Sequence, residues 1–223
     1  SIKNNHYFEN KDKFKNKLLF LSEFKDKITY DEKIILKNLD KYCGINNLKF
    51  DIQHRHKDIP KNYLTFLKKN KIFNKDKILK RNDDSSVYKN ANNYHTLVAS
   101  NSTLNDEFIS NYRRVVTLSS HEDFDDKKYF ELNCGKRRHY NFDNPMFKEM
   151  LPKNFSWTAN LNEKNIFTVL DNVIKCDQKN WTEHIDKYRN RFLYDQNNKI
   201  FVNKLIEIGI GSKLKNNFLV KKN

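Results

Sequence analysis

With 37 % hydrophobic and 13 % aromatic side chains, the 223 residues suffice for one or two domains around a real core, in which Phe and Tyr supply much of the volume. Four glycines and three prolines exclude a collagen-like or linker-rich chain; three scattered cysteines, Cys43, Cys134 and Cys176, form neither a disulfide framework nor a zinc pattern and fit a reducing compartment. The net charge of +15 invites a nucleic-acid partner, but lysine is scattered among abundant Asn, Ile and Phe, so it reads as compositional drift on solvated faces.

Residues 1–16 are polar. The apolar run at 17–24 predicts a buried strand, and 29–44 a helix with Ile34, Ile35, Leu39 and Tyr42 on one face, Thr29 as N-cap and Gly44 as stop. Residues 48–55 alternate like a strand, and 60–70 open with a proline suited to a first helical turn. A brief strand at 76–81, a cap and short helix at 83–91, a strand at 94–100, a helix at 102–112 and a strand at 113–119 follow. Strand and helix alternate throughout, which predicts an α/β fold: a Rossmann-like parallel sheet flanked by helices, with residues 94–100 near its centre. The expected organisation is a polar segment over 1–16, the Rossmann-like domain over 17–120, an irregular insertion over 121–160, and an α-helical C-terminal extension over 161–223 packed on the same domain.

No apolar run approaches the roughly 20 residues of a membrane-spanning helix, and no signal peptide is visible. The opening at Ser1 instead of Met is that of a fragment or a processed chain.

Ligands of open parallel sheets bind beyond the carboxyl ends of the strands, and three polar clusters fall there. In the first, His54, Arg55 and His56, a histidine can donate to developing phosphate charge and the guanidinium can bind it by two parallel bonds; a hydrated strand end is the plainer reading. For a metal site only Asp58 stands nearby as a further ligand, so none is expected. In the second, Asp83, Asp84 and Ser85 read as a plain N-cap, with Tyr88 facing the core. In the third, Ser102 and Thr103 open a helix whose free N–H groups suit phosphate, and Glu107, four residues past Thr103, is placed to accept from a ribose diol; simple helix capping uses the same residue types.

Taken in order, these segments resemble the nucleotide-binding, C-terminal half of bacterial GT-B-type glycosyltransferases that build capsular and other surface carbohydrates. The pattern V-x-x-x-S-T-x-x-x-E falls on Val98, Ser102, Thr103 and Glu107, ahead of a strand that opens with the basic pair Arg113 and Arg114. The strand-end histidine of such enzymes matches His54 or His56, with His54 favoured because Arg55 is then its neighbour. Where the family commonly has a glycine after the Glu helix, Asn111 and Tyr112 stand here. The resemblance implies transfer from a nucleotide-sugar donor, a CMP-linked acidic sugar being mildly preferred, to a glycan or lipid-linked acceptor, with no metal or other cofactor. Catalytic roles would fall to His54, Arg55 and His56, and substrate contacts to Ser85, Ser86, Ser102, Thr103 and Glu107. It also implies an N-terminal lobe that supplies the general base, and a cytoplasmic place at the anionic inner face of the membrane. A non-catalytic partner lobe and a nucleic-acid-binding module are the alternatives.

Overall fold

The computed structural model describes residues 16–22, 27–56, 58–72, 78–79, 86–100, 102, 104–135, 154–189 and 207. The apolar run of β1 (Lys17–Ser22) is buried on both faces beyond Lys17, as a central parallel strand requires. In α1 (Tyr30–Ile45) the Thr29 hydroxyl accepts from Glu32 N at 3.0 Å, and Ile35, Leu36, Leu39, Tyr42 and Cys43 form the buried face. The helix runs past Gly44. It stops where Asn46 N–H returns to Tyr42 O and Asn47 turns left-handed at φ 51°.

Next come β2 (Lys49–His54), α2 (Lys61–Lys69) entered through Pro60, β3 (Ile78–Leu79) and α3 (Ser86–Ala91). The fully buried β4 (Thr96–Ala99) leads to α4 (Leu104–Ser110) and then to the fully buried β5 (Arg114–Leu118). After α4, Tyr112 takes φ 58°, the left-handed conformation a glycine adopts without strain, and Arg113 N closes the turn on Phe108 O at 2.9 Å.

The six strands form one parallel sheet in the order β3-β2-β1-β4-β5-β6, the doubly wound Rossmann arrangement. As expected, residues 94–100 supply a central strand: β4 lies beside β1, with Phe20 opposite Val98. The expected strand at 48–55 pairs with β1 in parallel.

The stretch 121–160, expected to be irregular, holds two ordered elements. One is α5 (Asp126–Leu132), capped by Asp125, whose carboxylate accepts from Lys128 N at 2.7 Å; the other is the edge strand β6 (Trp157–Thr158). Both escaped the pattern for physical reasons. In α5 only Tyr129 is buried, so no apolar stripe exists, and β6 is too short to alternate. The C-terminal helices α6 (Glu163–Lys175) and α7 (Gln178–Arg189) pack on the same body, α6 against β5, β6 and α1, and α7 against α4. The remainder of the segments expected as helix beyond residue 189 lies outside the described residues, Glu207 apart. The largest fully buried side chains include Trp181, Tyr42, Tyr63, Tyr129, Phe20, Phe50 and Phe108, so aromatic volume does fill the core. No helix among the described residues is long and apolar enough to cross a membrane.

Candidate functional site

In this strand order the chain winds away from β1 and β4 in opposite directions, which opens a crevice outside their carboxyl ends. The rim there is polar and almost wholly buried: Ser22 closes β1, His54 closes β2, Ser100 and Ser102 follow β4, and Ser119, Ser120 and His121 follow β5.

His54 and His56 prove to have different environments. His54 is 1 % exposed; its Nδ1 lies 3.1 Å from both N and O of His56, and its ring meets Tyr63 edge to face at 5.4 Å. His56 is half-buried, and Arg55 is exposed while its N–H extends the sheet to Ser22 O at 3.0 Å. If Nδ1 donates to the His56 carbonyl, Nε2 presents a lone pair; if Nδ1 accepts from His56 N–H, Nε2 carries the proton. Nε2 meets no hydrogen-bond partner among the described residues. Burial lowers the His54 pKa, an effect opposed by the backbone contact to His56 and reinforced by the neighbouring His56 ring.

This makes stability pH-dependent. The unfolded ring titrates near 6.5 and the folded ring lower, so the unfolded state binds the proton more tightly. Stability is therefore full above that value and is lost as pH falls through it toward the folded pKa. Urea midpoints of the wild type should drop between about pH 8 and 5 more steeply than those of His54→Gln. Equal slopes for the two proteins would remove His54 as the cause.

Beside His54, the Ser22 and Tyr63 hydroxyls are close enough for Ser22 to favour the phenolate, but fall short of the geometry of a formed hydrogen bond. Burial outweighs that contact and, with the charge of Glu32, pushes the Tyr63 phenol well up.

At the third cluster Ser102 is buried, and its Oγ accepts from Leu104 N at 3.4 Å, a weak cap. Glu107 is half-buried and its Oε2 accepts from the Tyr88 hydroxyl of α3 at 2.7 Å. Burial first, and then the Glu107 hydrogen bond and charge, push the Tyr88 phenol up. Ser86 is buried in the first turn of α3. Ser85 and Thr103 lie outside the described residues. The structure thus brings His54, Ser102 and their strand ends to one sheet edge, and gives Glu107 a tyrosine partner that spacing did not reveal.

A fourth cluster stands across β4. Asp31, 1 % exposed in the first turn of α1, accepts at Oδ2 from Ser120 N at 3.0 Å and from the Tyr129 hydroxyl at 3.5 Å, while its own N–H donates to Asn133 Oδ1 at 3.2 Å. Burial raises the Asp31 pKa; the hydroxyl and N–H of Ser120, then Asn133 and Tyr129, oppose that rise.

A family model described as "putative O-antigen biosynthesis protein" matches residues 1–208. The chain belongs to that family. No curated protein matches it by sequence. Among solved structures it is similar to the wall teichoic acid polymerase TagF, at 18 % identity over 91 % of this chain and 44 % of that one, with a TM-score of 0.46. It is similar to a "putative UDP-N-acetylglucosamine 2-epimerase" from Listeria monocytogenes at 8 % identity, 78 % and 40 % coverage and a TM-score of 0.47. It is also similar to the N-terminal domain of trehalose-6-phosphate phosphatase from Candida albicans, at 9 % identity, 87 % and 42 % coverage and a TM-score of 0.48. The chain spans less than half the length of each.

The description of this family agrees with the surface-carbohydrate resemblance of the sequence. Sequence reasoning missed Asp31, Tyr63, Ser120 and Asn133 as rim residues. An acid after a helix cap is ordinary dipole chemistry, and nothing in local spacing announces that its partner lies 102 residues away.

Proposed function

We propose that the chain is the donor-binding half of a GT-B-type glycosyltransferase that passes a sugar from a nucleotide to a surface-glycan acceptor. The observation that carries this reading is the buried polar rim at the switch point of a β3-β2-β1-β4-β5-β6 sheet, in a member of an O-antigen biosynthesis family. In the proposed reaction the acceptor hydroxyl forms the new glycosidic bond, and the bond from the sugar to the nucleotide phosphate breaks. The phosphate leaves with the electron pair, and the hydroxyl proton goes to a base on a second lobe. Arg55, exposed beside the neutral His54, and the Ser102 hydroxyl would stabilise the departing charge. Glu107 would accept from the ribose. The acceptor would be a glycan or lipid-linked saccharide at the anionic inner face of the membrane, and the donor a nucleotide sugar, with CMP preferred.

Calorimetric titration with CMP and UMP tests this. Binding should weaken by about 1.5–3 kcal/mol in Ser102→Ala with the fold unchanged. Glu107→Gln should lose affinity for the ribonucleotide but not for its 2′,3′-dideoxy analogue. Absence of nucleotide binding, together with tight binding to duplex DNA, would overturn the proposal.

A further inference from the structure

The two histidines at the end of β2 divide into one ring that a ligand can reach and one that it cannot. His54 is sealed: its Nε2 is shut off from solvent, and its ring lies edge to face against Tyr63, itself fully buried in α2. Arg55 is exposed and His56 half-buried, so those two side chains are what this strand end offers to a guest. The polar contact of the His54 ring is with backbone instead. Its Nδ1 stands 3.1 Å from both the N and the O of His56.

The turn that carries Arg55 and His56 is held from several sides. Arg55 N–H donates to Ser22 O of β1 at 3.0 Å. The His54 carbonyl accepts from Gln53 Nε2 at 3.1 Å, and Gln53 Oε1 accepts from Asn90 Nδ2 of α3 at 2.6 Å. These bonds fix the chain as far as Arg55; beyond it, the His54 ring takes hold of His56. A neutral imidazole serves in either tautomer, since Nδ1 accepts from the His56 N–H in one and donates to the His56 carbonyl in the other. A fixed backbone matters here because a guanidinium and an imidazole grip an anion well only when both are presented in one geometry. Ordering the turn in advance lowers what binding must spend on ordering it later.

We infer that His54 is a positioning residue: it locks the backbone of Arg55 and His56 at the carboxyl end of β2 so that their side chains grip a phosphate group, and it does not touch the ligand itself. The inference rests on the donor-binding reading above and deepens it. The histidine favoured from the sequence becomes the scaffold, and the ligand contact passes to His56, two residues on.

The reach of two amides tests it. An asparagine amide comes to where Nδ1 lies and offers both a donor and an acceptor, whereas a glutamine amide comes to where Nε2 lies. The full chain and its His54→Asn, His54→Gln and His56→Ala variants are titrated calorimetrically with CMP and with inorganic pyrophosphate. His54→Gln should bind both probes about three- to tenfold more weakly than wild type, as expected for one lost hydrogen bond. His54→Asn should recover most of that loss, and His56→Ala should be weakened at least as much as His54→Gln. The reverse order, with glutamine tolerated and asparagine weakened, would mean that Nε2 meets the ligand and would overturn the inference, as would affinities unchanged in both His54 variants. Where those variants do not fold, the ring-nitrogen resonances of the wild type decide during titration with pyrophosphate. A saturable shift largest at His56 supports the inference; one largest at His54 Nε2, or absent from both rings, overturns it. Pyrophosphate bound with the expected pattern while CMP is not bound would sink the donor-binding reading alone, and CMP bound with the reverse pattern would sink the positioning role alone. No binding of either probe by the wild type would overturn both.

Discussion

Replacing Trp181 with alanine is expected to destabilise the fold by about 3–5 kcal/mol, read as a lower midpoint in urea. Trp181 is fully buried where α7 meets the body of the domain. Its indole N–H donates to Tyr112 O at 3.0 Å, its ring stacks on Phe155 at 6.2 Å, and the Arg114 guanidinium lies 5.8 Å from its centre. Three separate terms are lost together: apolar burial, a hydrogen bond that leaves the Tyr112 carbonyl stranded, and a cation–π contact. Trp181→Phe keeps most of the first and should cost roughly 1–2 kcal/mol. A loss below about 1 kcal/mol for the alanine variant would mean that α7 docks too loosely to matter, against the burial described.

Arg113→Met should cost about 2–4 kcal/mol, by loss of charge-assisted bonds. The Arg113 guanidinium is 4 % exposed and donates to Ala91 O at 2.7 Å and to Tyr94 O, tying the turn between α3 and β4 to the start of β5. Two effects compete. Burial lowers its pKa to about 10, so placing the charge inside is itself unfavourable, and a methionine of similar length relieves that penalty. Against this, removal of the donor strands the Tyr94 carbonyl and takes one of two donors from the Ala91 carbonyl, which keeps the Tyr94 N–H at 3.1 Å. We expect the lost bonds to win because the guanidinium that makes them is buried. Arg113→Lys, which keeps the charge but not the planar fork, should also be destabilised. A methionine variant as stable as wild type would show that relief of the buried charge wins instead.

These two residues also show what the sequence does and does not disclose. The basic pair Arg113 and Arg114 resembles a family feature at a nucleotide site, yet both guanidiniums are structural braces: Arg114 Nη1 donates to Val173 O of α6 at 2.7 Å. Elements whose signal is local were legible. The helical face of α1 repeats at helical spacing, and the apolar run of β4 foretells its central place. Where the signal is short or solvated it failed, as in α5 with its single buried tyrosine. In the candidate site the strand ends were legible because topology alone sends ligands there. Side-chain partnerships were not. Tyr88 with Glu107, Asp31 with Asn133 and His54 with Tyr63 each join separate elements, and no spacing rule encodes such meetings.

The central position of β1 has a consequence for how the chain comes to be folded. Its first neighbour, β2, is made soon after it, but its second, β4, is not: Leu18 waits for Thr96, and β4 in turn pairs with β5. During synthesis the first half of the sheet therefore exists with one face of hydrogen bonds on β1 unmet, an open apolar edge in a growing chain. Parallel pairing across such long loops is slow to form. The rate of folding should thus be set by the docking of β4 on β1, and any truncation that ends before Ala99 leaves β1 at an open edge, an invitation to pair with other chains instead of its own.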